Sequence, residues 1–195
     1  MSDAESASLP ERYFDDMYAL HDDPWQFESS PYEAAKYDRT LAALRPHYDS
    51  ALEIGCSIGV LTARLAPRCA ALLSLDVAER ALERARIRNA AQPHVTFERR
   101  QMPQDFPAGQ FELILLSEVG YYLSRRDLVT LLDSCVAALN PGGQLLAVHW
   151  TPPVHDYPLT GDEVHGQLLA YPGLIHKHGE RHEQYRLDLL ERAGG

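Results

Sequence analysis

Between residues 50 and 150 the chain alternates between two rhythms. Short apolar runs at 51–54, 71–76, 111–117 and 145–150, and the alternating Val95-Thr-Phe-Glu98, read as strands, and stretches at 59–66, 77–91 and 124–139 read as helices. Strands separated by helices pair in parallel through right-handed crossovers, so this alternation predicts an α/β sheet with helices on its faces. The run Phe111-Glu-Leu-Ile-Leu-Leu-Ser117 is apolar enough to be covered on both sides. Upstream, Tyr13, Met17 and Leu20 recur at helical spacing, and Ser30, Pro31 and Glu33 open a second helix that Pro46 stops. Downstream, residues 152–173 carry four prolines and read as a loop that shapes a substrate pocket. Two strands at 174–178 and 183–190 then close an antiparallel hairpin. Residues 1–9 are small and polar and read as a frayed end. The whole chain reads as one domain: N-terminal lid helices over 1–46, a cofactor-binding core over 50–150, and a substrate loop with the hairpin over 151–195.

The first core strand runs into Glu53-Ile-Gly55-Cys-Ser57-Ile-Gly59, and the second ends at Asp76, 21 residues after Gly55. Glycines in a strand-to-helix loop let backbone approach a ligand, and an acid at the end of the next strand is placed to hold ribose hydroxyls. A dinucleotide pyrophosphate asks for G-x-G-x-x-G/A, whereas this loop has Ser57 at the third position and Val60 at the sixth.

Glu53, Gly55 and Gly59 resemble instead the acid-x-G-x-G-x-G loop of class I S-adenosylmethionine-dependent methyltransferases, with Ser57 in place of the middle glycine. The resemblance runs from about residue 28 to the end. It implies a Rossmann-like three-layer fold with a seven-stranded, mostly parallel sheet ordered 3-2-1-4-5-7-6 and an antiparallel C-terminal hairpin. It implies S-adenosyl-L-methionine as cofactor, with Glu53 on its ammonium, Asp76 and Val77 at the ribose, and Gln101 and Met102 at the adenine. Within that class, Asp23-Pro-Trp-Gln-Phe-Glu-Ser-Ser-Pro-Tyr-Glu33 and Ser117-Glu-Val-Gly-Tyr-Tyr-Leu123 resemble the S-type nodulation N-methyltransferases. That resemblance implies N-methylation of an amine on a sugar or oligosaccharide. O-methylation of a small hydroxyl or carboxylate, a module that binds the cofactor without turnover, and a nicotinamide oxidoreductase remain as alternatives.

Ligands of open parallel sheets bind beyond the carboxyl ends of the strands, which gathers residues 53–59, 76–78, 101–102 and 117–122 with His149. The cofactor set is therefore Glu53, Gly55, Cys56, Ser57, Gly59, Asp76, Val77, Gln101, Met102, Ser117 and Trp25, the last lying over the adenine or stapling the N-terminal helix. An amine acceptor must lose a proton before it attacks, and Glu118 and His149 are the candidate bases, Glu118 alternatively holding an acceptor ammonium and His149 alternatively being a core histidine with a backbone partner. Tyr121 and Tyr122 read as packing residues, one of which, Tyr122 first, is a candidate to present its hydroxyl to substrate.

Other signals exclude rather than assign. Asp and Glu outnumber Lys and Arg by 28 to 18, a net charge of −10, which argues against non-specific nucleic-acid binding. No apolar run approaches the ~20 residues that span a bilayer. Cys56, Cys69 and Cys135 form no C-x-x-C and read as reduced thiols of a cytoplasmic protein. His176, His178 and His182 lack the converging ligands of a metal site. Arg80, Arg84 and Arg88 form a stripe at i, i+4 spacing that reads as a solvated helix face. The expected partner is a small-molecule acceptor, an amino sugar first; the sequence carries no signal for a protein partner.

Overall fold

The computed structural model describes residues 7–194. Seven strands, β1 Tyr48–Ile54, β2 Cys69–Asp76, β3 Val95–Arg99, β4 Phe111–Ser117, β5 Leu139–Trp150, β6 Leu174–Arg181 and β7 Tyr185–Arg192, form one sheet in the order β3-β2-β1-β4-β5-β7-β6. The pairings from β3 to β5 are parallel, and β7 joins β5 and β6 antiparallel. Six α-helices accompany the sheet among the described residues: α1 Glu11–Leu20, α2 Pro31–Ala42, α3 Val60–Leu65, α4 Glu79–Arg88, α5 Arg125–Ala138 and α6 Gly161–Leu169. Among the described residues no helix is long and apolar enough to cross a membrane.

The two-residue period of β4 divides the core. Ile114 and Leu116 pack on one face with Leu128, Leu131 and Leu132 of α5, and Leu113 and Leu115 pack on the other with Leu41 of α2 and Leu65 of α3. A strand covered on both faces needs an unbroken apolar run, which explains why β4 carries no alternation. Between α5 and the straight part of β5, Pro141-Gly-Gly does not end the pairing. Leu139 pairs with Phe111 and Gln144 with Leu113, so the segment bulges out of the ladder.

Two expectations are corrected. The region 152–173 contains α6, opened by a capping box in which Thr160 and Glu163 satisfy each other's backbone N–H groups. Val164, His165 and Leu168 bury its inner side, and Gly161 is required because a Cβ there would lie 2.1 Å from the Trp150 carbonyl oxygen. At the N-terminus, residues 1–6 lie outside the described residues, but the rest of the segment read as frayed is tied down. Ser8 Oγ accepts from Ser124 N–H and donates to Asp127, and Leu9 N–H donates to the Tyr122 carbonyl.

Candidate functional site

The loop after β1 is held by its neighbour strand. Gly55 and Cys56 N–H both donate to the Leu75 carbonyl, at 2.8 and 2.9 Å. Gly55 has φ +82°, and a Cβ there would sit 2.2 Å from Val119 Cγ2. Ser57, where the motif has a glycine, also takes a left-handed φ of +51°. Two bonds hold it there: its N–H donates to Asp76 Oδ2 at 2.8 Å, and its Oγ shares a hydrogen bond with the Tyr18 hydroxyl. Gly59 does not face the cavity; it lets α4 approach, since a Cβ there would lie 2.7 Å from Asn89 Nδ2.

Asp76 is positioned by backbone. Its Oδ1 accepts from Ala78 N–H at 2.9 Å and its Oδ2 from Ser57, leaving further lone pairs toward the cavity it lines. Burial raises its pKa and the N–H groups of Ala78, Ser57 and Val77 oppose that shift. Glu53 is 2 % exposed, and its Oε2 accepts from Thr62 Oγ1 at 2.6 Å and Ser74 Oγ at 2.8 Å. Burial pushes its carboxyl up to about 7 against those two hydroxyls. Glu53 and Cys56 line a small pocket of about 30 Å³ that shares Gly55, Ser57, Ser117 and Glu118 with the main cavity. The Cys56 thiol is pushed well up by burial, so it stays protonated and is not a nucleophile.

The main cavity measures about 640 Å³. That is within the usual range for a small-molecule site, ~300–1,000 Å³. Val77, Gln101, Met102 and Ser117 line it with Gly55 and Asp76. Trp25 lines it as well and staples the N-terminal segment, edge-on to Tyr18 at 5.6 Å and stacked on Phe27 at 5.7 Å. The turn carrying Trp25 is fastened by two arginines of the stripe read as a solvated face: Arg84 pairs with Asp22 and Arg88 with Glu28, each at 3.0 Å.

At the other end of the cavity, Glu118 takes φ +58°, and three donors occupy its carboxylate. Lys36 Nζ donates to Oε1 at 2.7 Å, while the Tyr121 hydroxyl and Trp150 N–H donate to Oε2 at 2.5 and 2.9 Å. Lys36 also donates to Glu33 Oε1 at 2.9 Å. Burial works to lower the Lys36 pKa, but Glu118 and Glu33 outweigh it and keep the ammonium charged. Tyr122 lines the cavity with its hydroxyl 3.5 Å from that of Tyr157.

His149 is not brought to the cavity. It is fully buried, and its Nε2 accepts from Gly120 N–H at 3.1 Å. A backbone N–H can only donate, so Nε2 is bare and the ring proton sits on Nδ1. That proton faces His165 Nε2 at 3.1 Å, and His165 Nδ1 faces Asp188 Oδ2 at 2.7 Å. Burial, with His165 and Lys36, holds the His149 pKa well below the ordinary range. With its lone pair already used, His149 cannot take a proton from an acceptor; of its two readings the core histidine with a backbone partner holds, and the expectation of a base there is corrected. His176 contacts Asp188, and His178 and His182 contact Glu180.

Tyr32, expected with Trp25 and Tyr37 on the N-terminal helices over the mouth of the site, lines the cavity, whereas Lys36, Glu33 and Tyr18 were missed as site residues from the sequence. A signal existed: positions 33, 36, 37, 40 and 41 of α2 share one buried face, so two opposite charges lie on an apolar stripe.

A sequence profile of the family described as Nodulation protein S (NodS) matches residues 6–149. Nodulation protein S of Bradyrhizobium diazoefficiens is 36 % identical over 130 residues, 64 % of this chain and 61 % of the relative's length. The solved N-methyltransferase NodS from Bradyrhizobium japonicum WM9, in complex with S-adenosyl-L-homocysteine, superposes with TM-score 0.83 at 26 % identity, covering 93 % of this chain and 97 % of that one. A Pseudomonas syringae protein assigned as a methyltransferase is 41 % identical, with TM-score 0.74 over 83 % of this chain and 99 % of that chain.

Proposed function

This chain belongs to the nodulation protein S family, and on that premise we propose that it transfers the methyl group of S-adenosylmethionine to an amine of a small sugar or oligosaccharide acceptor. The observation that carries the reading is the pairing of two differently built carboxylates, Asp76 in the main cavity and Glu53 in the small pocket that shares Gly55, Ser57, Ser117 and Glu118 with it. Asp76 is held by backbone N–H groups with lone pairs left for ribose hydroxyls, and Glu53 is buried behind the glycine loop, suited to an ammonium.

When bound, S-adenosylmethionine supplies an electrophilic methyl group, so the chain's task is proximity and orientation. In this reading Asp76 and Val77 hold the ribose, Gln101, Met102 and Trp25 surround the adenine, and Glu53 holds the ammonium through the small pocket beside Gly55. Glu118 fixes Lys36, Tyr121 and the Trp150 backbone at the acceptor end. Tyr122 presents its hydroxyl to the acceptor from the cavity wall.

Calorimetric titration with S-adenosylhomocysteine, NAD and NADP tests the cofactor half. Binding of the homocysteine compound alone is expected, and binding of a dinucleotide alone refutes the reading. Methyl transfer from labelled cofactor to chitosan tetramer, chitin tetramer and simple hydroxyl acceptors tests the rest. Label on the free-amine oligomer is expected; label on hydroxyl acceptors only replaces N-methylation by O-methylation.

A further inference from the structure

Among the described residues, two buried side-chain polar atoms have no hydrogen-bond partner: Tyr32 Oη and Glu33 Oε2. Folded interiors carry few such atoms, and each asks for an explanation. Here they belong to successive residues at the start of α2, and both residues line the main cavity. Glu33 is 7 % exposed, so bulk water does not explain its free oxygen.

The charge around that oxygen is also incomplete. Lys36 Nζ lies 2.9 Å from Glu33 Oε1 and 2.7 Å from Glu118 Oε1. Two carboxylates around one ammonium leave a single negative charge uncompensated, in a place where buried charge is costly. An ammonium is donor-only and a carboxylate oxygen acceptor-only. A second cation on Glu33 Oε2 would satisfy both the orphan atom and the charge.

We propose that Glu33 Oε2 and Tyr32 Oη form the subsite for the acceptor's protonated amine, with Glu33 taking the proton that must leave before methyl transfer. The subsite rests on the methyltransferase reading and deepens it, because it selects an amine over an anionic acceptor. Lys36 cannot serve as the base, since both carboxylates hold it protonated. Burial raises the Glu33 carboxyl, with Lys36 opposing, Glu118 adding to the rise and Tyr37 lowering it, which moves it toward the pH at which proton acceptance is effective. Burial pushes the Tyr32 hydroxyl up to about 12, so it keeps its proton and its oxygen is left to accept from the amine. In the step itself, R–NH3+ gives one proton to Glu33 Oε2 and the N–H electrons stay on nitrogen as a lone pair. That pair forms the new N–CH3 bond as the S–CH3 bond breaks, its electrons remaining on sulfur. The product is R–NH2+–CH3 beside S-adenosylhomocysteine, and the Glu33 acid returns its proton to water in the cavity.

Sinefungin bears an ammonium at the position of the sulfonium methyl, so it probes this subsite without an acceptor. Its affinity and that of S-adenosylhomocysteine would be measured by calorimetry for the parent protein, Glu33→Gln and Tyr32→Phe. Glu33→Gln should leave S-adenosylhomocysteine affinity within about two-fold and weaken sinefungin about ten-fold or more, as for loss of a charged hydrogen bond, and Tyr32→Phe should weaken sinefungin about three-fold. An unchanged ratio of the two affinities in both variants overturns the proposal. Equal losses for both compounds in Glu33→Gln overturn it too, by making Glu33 a purely structural member. A parent protein that binds neither compound refutes the cofactor reading, and the subsite with it.

Discussion

Lys36→Met removes a cation buried between α2 and the sheet. Lys36 is 3 % exposed, and its ammonium bridges Glu33 and Glu118 at 2.9 and 2.7 Å. Methionine keeps the unbranched apolar stem and removes the charge, so packing is nearly conserved and two carboxylates are left facing each other. Stranding one partner of a buried pair costs about 3–5 kcal/mol. The lower end applies here, because Glu33 already tends toward its neutral form through burial and can take up a proton. The expected loss is therefore ~3 kcal/mol at pH 8, or about 6–12 °C in Tm for a chain of this size. Without Lys36 the folded-state pKa of Glu33 rises further above its unfolded value. The folded state then binds more protons than the unfolded state between those two values, so the variant loses stability as pH rises through the window. Urea denaturation at pH 5.5 and pH 8 reads both quantities. The double variant Lys36→Met/Glu33→Gln should recover part of the loss at pH 8 and little at pH 5.5. A loss below about 1 kcal/mol at pH 8, or a variant no less stable there than at pH 5.5, refutes the reasoning.

Three other perturbations follow from the same geometry. Asp76→Ala removes the acceptor of the Ser57 and Ala78 N–H groups along with the proposed ribose ligand, so S-adenosylhomocysteine affinity should fall at least ~10-fold by calorimetry; unchanged affinity removes Asp76 from the ribose. The Glu53 carboxyl, raised to about 7, is largely protonated at pH 6 in the free protein, and a ligand ammonium favours its ionised form; affinity should therefore rise from pH 6 to pH 8 and become flat in Glu53→Gln. His149→Ala strands Gly120 N–H and should cost about 1–3 kcal/mol in urea denaturation, with a change under ~0.5 kcal/mol showing that the bond carries no stability.

The sheet was legible because its evidence is local and repeated. Four of the five core strands are apolar runs, three of the four crossovers carry an amphipathic helix, and Asp76 falls where the second strand must end; only β3 and the link from it to β4 depart from this rhythm. The half of the cavity proposed for the cofactor follows from the same regularity, since Gly55, Ser57, Asp76, Gln101 and Ser117 all sit near strand ends and all line it. The half proposed for the acceptor depends on which side chains from distant segments meet, which no local rhythm encodes. Glu118 was legible as a chemical residue, but its partner Lys36 lies 82 residues earlier. His149 looked available because it ends a strand beside the site. Its actual partners are set by α6, which supplies His165, and by the antiparallel register of β7, which supplies Asp188. Four prolines and two interior glycines hid α6, although Thr160 and Glu163 spelled its start.

The hydrogen-bonded chain from Gly120 through His149 and His165 to Asp188 limits how this protein can be recombined with its relatives. A chimera joined between 150 and 160 would take the backbone donor and the first imidazole from one parent, and the second imidazole and carboxylate from the other. Each imidazole here has one ring nitrogen that gives a proton and one that receives, so the chain has a polarity as well as a spacing. A graft that supplies a residue of similar size but opposite polarity at 165 or 188 would reverse that order and present a proton to Gly120 instead of a lone pair. The smallest exchangeable module is therefore the whole stretch from 120 to 188, and breakpoints within it should yield inactive offspring far more often than breakpoints in the turn before α2.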